Sequence, residues 1–268
     1  MEQLLRNPWV QGALAPALAG GVAALLLYPV RLSGLAAACG FFTAVYLSGQ
    51  LAFEKKLLMV SLAAALLGAL VDLAFRPTRT AGLALGIVFG VASFWIFLTV
   101  IGGMPAQRMV PYAVGLTALV TAMVALAMLS QDEPPRAGAA GVGLGLATGV
   151  LAFFGGAKVL GLWGFGLAAG AAGFLVIALA LPRRMVAGAA LTLSVGVIGA
   201  LLAAAVTLQR GLLWYQAALL ALVPLAVRLP APQRSAAGQA LVALFYALAV
   251  AGSVCALDWT RFNTLLFR

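Results

Sequence analysis

Histidine is absent from this chain of 268 residues, and acidic residues number only six against sixteen basic ones. Without histidine there is no imidazole to ligate haem, no Ser/His/Asp set and no H-E-x-x-H metal motif. So few carboxylates leave no pair placed for general acid–base work. A hydroxyl nucleophile would also lack a nearby base, since the only lysines are Lys55, Lys56 and Lys158. The two cysteines, Cys39 and Cys255, lie far apart within apolar stretches and form no C-x-x-C spacing. They read as small buried hydrophobes rather than as a metal or dithiol site. No catalytic, metal-ligating or cofactor-binding residue is expected, and an enzyme is the class that these absences disfavour most.

Charged residues of both signs make up 8% of the chain, against 65% hydrophobic residues, and the mean hydropathy is +1.13. Soluble proteins average about 25% charged and roughly 45–50% apolar residues. A water-soluble domain could not hide so much apolar surface, so the expected fold is all-α, a polytopic bundle of membrane helices. The formal net charge of +10 does not form a nucleic-acid footprint, because the basic residues come singly or in pairs at the ends of apolar runs. They read as anchors that snorkel to lipid headgroups. The bilayer is the expected partner, and no nucleic acid is.

About 20 helical residues cross roughly 30 Å of hydrocarbon. On that ruler ten helices are expected: Trp9–Tyr28, Leu32–Phe53, Leu57–Phe75, Thr80–Gly103, Met109–Leu129, Gly138–Phe154, Ala157–Leu181, Met185–Leu208, Leu212–Arg228 and Ala236–Leu257. Ala17-Leu18-Ala19 imitates a signal-peptide cleavage site, but the apolar run continues to Tyr28 and is read as the first membrane helix. The runs are continuous rather than alternating, which excludes an outer-membrane barrel and makes a bacterial inner (cytoplasmic) membrane the expected location.

Residues 130–137 form the most polar connection, with two prolines and three charges, and divide the chain into halves 1–129 and 138–268. Each half would hold five helices. Gly138–Phe154 is the weakest span, and a re-entrant segment there would make the count nine. An odd number of helices per half would invert the second copy relative to the first. Leu18-Ala19-Gly20-Gly21-Val22-Ala23-Ala24 can be laid on Leu146-Ala147-Thr148-Gly149-Val150-Leu151-Ala152, although a composition so rich in Ala, Leu, Gly and Val produces such matches by chance. The excess of Lys and Arg that normally marks the cytoplasmic side gives eight on each side, which leaves orientation open.

Every acid has a basic neighbour. Glu2, Asp72, Asp132 and Asp258 precede Arg6, Arg76, Arg136 and Arg261 by three or four residues, while Glu54 and Glu133 lie near Lys55 and Arg136. These are helical pairing distances. Asp72 alone falls inside an expected helix, near its end, and reads as an interfacial ion pair in preference to a proton relay.

Glycine recurs every four residues at Gly82, Gly86 and Gly90, at Gly141, Gly145 and Gly149, and again at Gly166 and Gly170. Such grooves admit a neighbouring helix backbone, either within the bundle or from a partner. Polar stripes are weaker. Thr43, Tyr46 and Gln50 share a face of the second helix, Thr117 and Thr121 a face of the fifth, and Gln239, Tyr246 and Ser253 recur along the tenth. In lipid these should face inward, bonding across helices or lining a cavity. Trp9, Trp163, Trp214 and Trp259 are expected in an interfacial belt. Trp95, one turn before Thr99, either walls a pocket or faces lipid.

Two functional classes remain, a carrier without a titratable coupling residue in the membrane being the expected one and a membrane subunit the alternative. A carrier for a small neutral or weakly charged solute would place its site between the halves, lined by the polar stripes. A non-catalytic subunit of a larger membrane complex, or a homodimer, would use the glycine faces to dock.

Overall fold

A computed structural model describes residues 7–49, 54–74, 79–181, 185–210, 214–230 and 235–257. Among them there is no strand, and the ten expected runs each correspond to a helical segment. We number these α1 (Val10–Val30), α2 (Ser33–Leu47), α3 (Lys55–Ala74), α4 (Arg79–Ile101), α5 (Ala106–Met128), α6 (Pro134–Phe154), α7 (Lys158–Ala180), α8 (Gly188–Arg210), α9 (Trp214–Ala226) and α10 (Ala236–Ala256). Eight of them are long and apolar enough to cross a membrane, which suggests a multi-pass membrane protein.

The two short ones are α2 and α9. At 1.5 Å per residue they reach only about 22 Å and about 20 Å, less than the roughly 30 Å of hydrocarbon. Helix α2 stops at Leu47, where Gly49 takes φ +66; the remainder of the expected span, Gln50–Phe53, lies outside the described residues. Helix α9 is interrupted at Ala221, between Trp214–Leu220 and Leu222–Ala226. Pro224 accounts for the break, having no N–H to give and a ring that crowds the preceding turn.

Pro134 and Pro135 do not extend the polar linker. They open α6 at its first two positions, where a missing N–H costs nothing. Helices α6 and α7 have 21 and 23 residues, so the short segments are not at Gly155–Lys158. They are the second and ninth of ten, whereas a five-plus-five repeat would place a matching pair at the second and seventh.

Helix α8 forms the axis of the bundle. It packs on α3, α5 and α6 and also touches α2, α4, α7 and α9. Every residue from Gly188 to Thr207 is buried. Its composition permits this, since alanines and glycines let seven neighbours approach one helix. Around it, α6 and α7 form a tight hairpin, α7 holds α1 and α2, α4 pairs with α5, and α10 lies on α6.

Candidate functional site

Helix α8 begins without a Ser, Thr, Asp or Asn cap of its own, so its first N–H groups must find partners elsewhere. They find them on other elements. Gly188 N–H donates to the Gln131 carbonyl at 3.1 Å. The N–H groups of Ala189 and Ala190 donate to the two carboxylate oxygens of Asp72 at 2.6 and 2.8 Å. Leu191 N–H donates to the Ala187 carbonyl at 3.4 Å, and the Ser33 hydroxyl donates to the Val186 carbonyl at 2.9 Å. Gly188 has φ +62 and lies against the Asp72 carboxylate, so a Cβ there would collide with it.

Asp72 thus serves as a cap supplied by a neighbouring helix, placing negative charge at the positive end of the α8 dipole. The Arg76 partner expected for it lies outside the described residues. At the other end of the same pair, the side-chain amide of Gln209 donates to Glu54 at 2.5 Å. Helices α3 and α8 are therefore antiparallel and tied at both ends by the acids that flank α3. Eighteen residues, about 27 Å of helix, separate the two ties. Glu133 pairs with Arg136 at 3.0 Å.

Between the ties α8 is buried along its length, from Gly188 to Thr207. The hydroxyls of Thr192, Ser194 and Thr207 each donate to the carbonyl four residues back, at 2.9, 2.6 and 2.8 Å. Each is thereby satisfied within its own helix, and the Thr192 hydroxyl also lies 3.1 Å from the Met128 sulfur of α5.

The expected cavity-lining residues do not gather. Thr43 is half-buried and donates to its own helix at Cys39, at 2.7 Å. Tyr46 is 72% exposed, Thr99 is exposed, and Gln50 lies outside the described residues. Gln239 and Tyr246 are half-buried on α10, while Ser253 is exposed and donates to Ala249 at 2.8 Å. Thr117 and Thr121 point into the α4 groove: a Cβ on Gly86 would stand 2.8 Å from the Thr121 carbonyl oxygen, and one on Gly90 2.8 Å from that of Thr117. Thr121 also donates to the Gly86 carbonyl at 3.1 Å. Trp95 is 48% exposed, with the Lys56 ammonium 5.0 Å from its ring centre.

The glycine faces meet other helices of the same chain. Gly82, Gly86 and Gly90 receive α5; Gly141, Gly145 and Gly149 receive α7, with Gly141 also against Val195 of α8. Gly166 and Gly170 lie against Ala44 and Gly40 of α2, and Gly170 also against Gly20 of α1.

Trp163 does not join the interfacial belt. It is fully buried, edge-on to Phe41, and donates its indole N–H to Ser48 at 3.1 Å. Burial of so large a ring needs a partner for its N–H, and Ser48 at the end of the short helix α2 supplies one. Trp9 is 80% exposed and Trp214 half-buried, while Trp259 lies outside the described residues.

Clefts open on the outer surface among the described residues. One, of about 550 Å³, lies between α5 and α9 and is lined by Tyr112, Trp214 and small residues such as Gly115 and Ala218. Another, of about 680 Å³, lies between the first turns of α1 and helices α6 and α7. None of the expected cavity residues lines either cleft. Sequence reasoning missed the Asp72 cap and the Glu54–Gln209 tie. The usable signal was a helix start, Val186-Ala187-Gly188, with no capping side chain.

The chain matches no protein-family model, and no curated protein is similar to it.

Proposed function

We propose that this chain is a non-catalytic, multi-pass subunit of a membrane complex, resident in a cytoplasmic membrane, rather than a carrier or an enzyme. The observation that supports this reading is the burial of α8 along its length, its own buried hydroxyls each donating within that helix. A carrier needs a polar or water-filled site near the midplane, and the expected cavity residues are dispersed over four helices, some of them on the outer surface.

A subunit needs instead an outward face that admits another helix. The glycine grooves expected to serve are filled by the chain's own helices. Helix α10 offers a different face, where Phe245, Ala249, Gly252 and Ala256 recur at helical spacing and are all exposed. A Cβ at Gly252 would meet nothing within 4 Å. Small residues at such a position let a second backbone approach, either from a partner or from another copy of this chain.

Extraction in mild detergent, with mass spectrometry of what accompanies the chain, tests the proposal. The expected result is a stoichiometric membrane partner, or a dimer, that is lost when Gly252→Leu is introduced. Recovery of the wild-type chain as a lone monomer, or solute uptake by liposomes containing it, would contradict the subunit reading.

A further inference from the structure

The cleft between α1, α6 and α7 differs from an ordinary lipid-facing surface in being concave, long and walled by small residues. Its lining carries no charge; Gly12, Ala13, Ala17, Ala169 and Ala172 form much of its wall, with Trp9 near one end. Along α7 it runs from Leu162 to Ala172, ten residues or about 15 Å. That is the depth of one leaflet, half of roughly 30 Å. A hydrocarbon chain is slender enough to enter.

A cation stands one helical turn of α7 beyond the lining residue Leu162. Lys158, Leu162, Phe165, Ala169 and Ala172 follow one another at helical spacing, so Lys158 heads the same face of α7 that lines the cleft. It is exposed, in the first turn of α7. Lipid tails are as apolar as the wall, so burial of a chain gives no preference among lipids. The charge does, because a basic side chain at the headgroup level attracts anionic lipid.

We propose that this cleft is a binding site for an anionic phospholipid of the leaflet on the Lys158 side, one acyl chain lying along Leu162–Ala172 and the headgroup phosphate against Lys158. The site is independent of the subunit reading, since it uses neither α10 nor a protein partner.

Native mass spectrometry of the purified full chain, titrated with phosphatidylglycerol or phosphatidylcholine, tests it. The first phosphatidylglycerol should bind about fivefold more tightly than phosphatidylcholine. Lys158→Gln should abolish that preference, and Ala169→Phe should weaken the first-bound lipid of either kind. Val176→Phe, on an exposed face outside the cleft, should change neither and controls for added bulk. Millimolar inorganic phosphate should not displace the lipid. Equal affinity for the two lipids in the wild type, or an unchanged preference in Lys158→Gln, would overturn the proposal. So would displacement by phosphate alone, which would make the site a simple anion site. Loss of a bound membrane protein from Ala169→Phe with lipid binding unchanged would overturn it as well, by making the occupant a helix.

Discussion

The Asp72 carboxylate accepts a hydrogen bond of 2.6 Å from the backbone N–H of Ala189, 117 positions along the chain. Its second oxygen takes the N–H of Ala190 at 2.8 Å, so a single side chain of α3 completes the start of the central helix. Removing it would leave two donors of a tightly packed helix end without partners, each costing about 1–3 kcal/mol. Asp72→Ala should therefore lower the unfolding free energy of the detergent-solubilised protein by about 2–5 kcal/mol. Asp72→Asn, which keeps one acceptor oxygen, should cost less. An Asp72→Ala variant as stable as the wild type would show that the two N–H groups find other partners.

Gly188 stands beside that carboxylate with a positive φ. Gly188→Ala combines a left-handed backbone that costs a non-glycine residue about 1 kcal/mol with a Cβ driven into Asp72. We expect a loss of at least the Asp72→Asn size, and non-additivity when the two are combined, because they disturb one contact. Additive losses would show that the residues act separately.

At the opposite end, Glu54 and Gln209 invite a double-mutant cycle. Glu54→Ala and Gln209→Leu, alone and together, should give a coupling free energy of about 0.6–1.7 kcal/mol, the range of side-chain hydrogen bonds measured inside membrane bundles. A coupling near zero would mean that the tie is made equally well to solvent.

The glycine faces allow a paired comparison. A side chain at Gly86 would press on the Thr121 backbone, whereas one at Gly252 meets open space. Gly86→Leu should destabilise the isolated chain by several kcal/mol, in the manner of overpacking. Gly252→Leu should leave its thermal stability unchanged. Equal effects would mean that the two faces are packed alike.

The sequence made the ten segments visible because continuous apolar runs have few other readings at this composition. It did not reveal that α2 and α9 are short. Leu51, Ala52, Phe53 and Val227 extend those runs in hydropathy, and hydropathy does not register a glycine stop at Gly49 or the break before Pro224. The glycine periodicity located close helix approach, but one helix face looks the same whether its partner is α5 or a second protein. The polar stripes failed for a related reason. Thr43 and Ser253 bond to their own backbone, so nothing obliges them to face inward. Local spacing offered Asp72 a partner in Arg76, which lies outside the described residues, and could not see an uncapped helix start more than a hundred positions later.

Whether water reaches α8 is open to direct measurement. In a Cys39→Ala, Cys255→Ala background, a cysteine at Ala200, fully buried at the middle of α8, can be challenged in intact membranes with a water-soluble thiol reagent, with a cysteine at exposed Gly156 as the positive control. We expect labelling at Gly156 and none at Ala200 until the membrane is dissolved and the protein denatured. Labelling of Ala200 in the native membrane would mean that water reaches the bundle axis, and the chain would then be a carrier with an open path rather than a sealed scaffold.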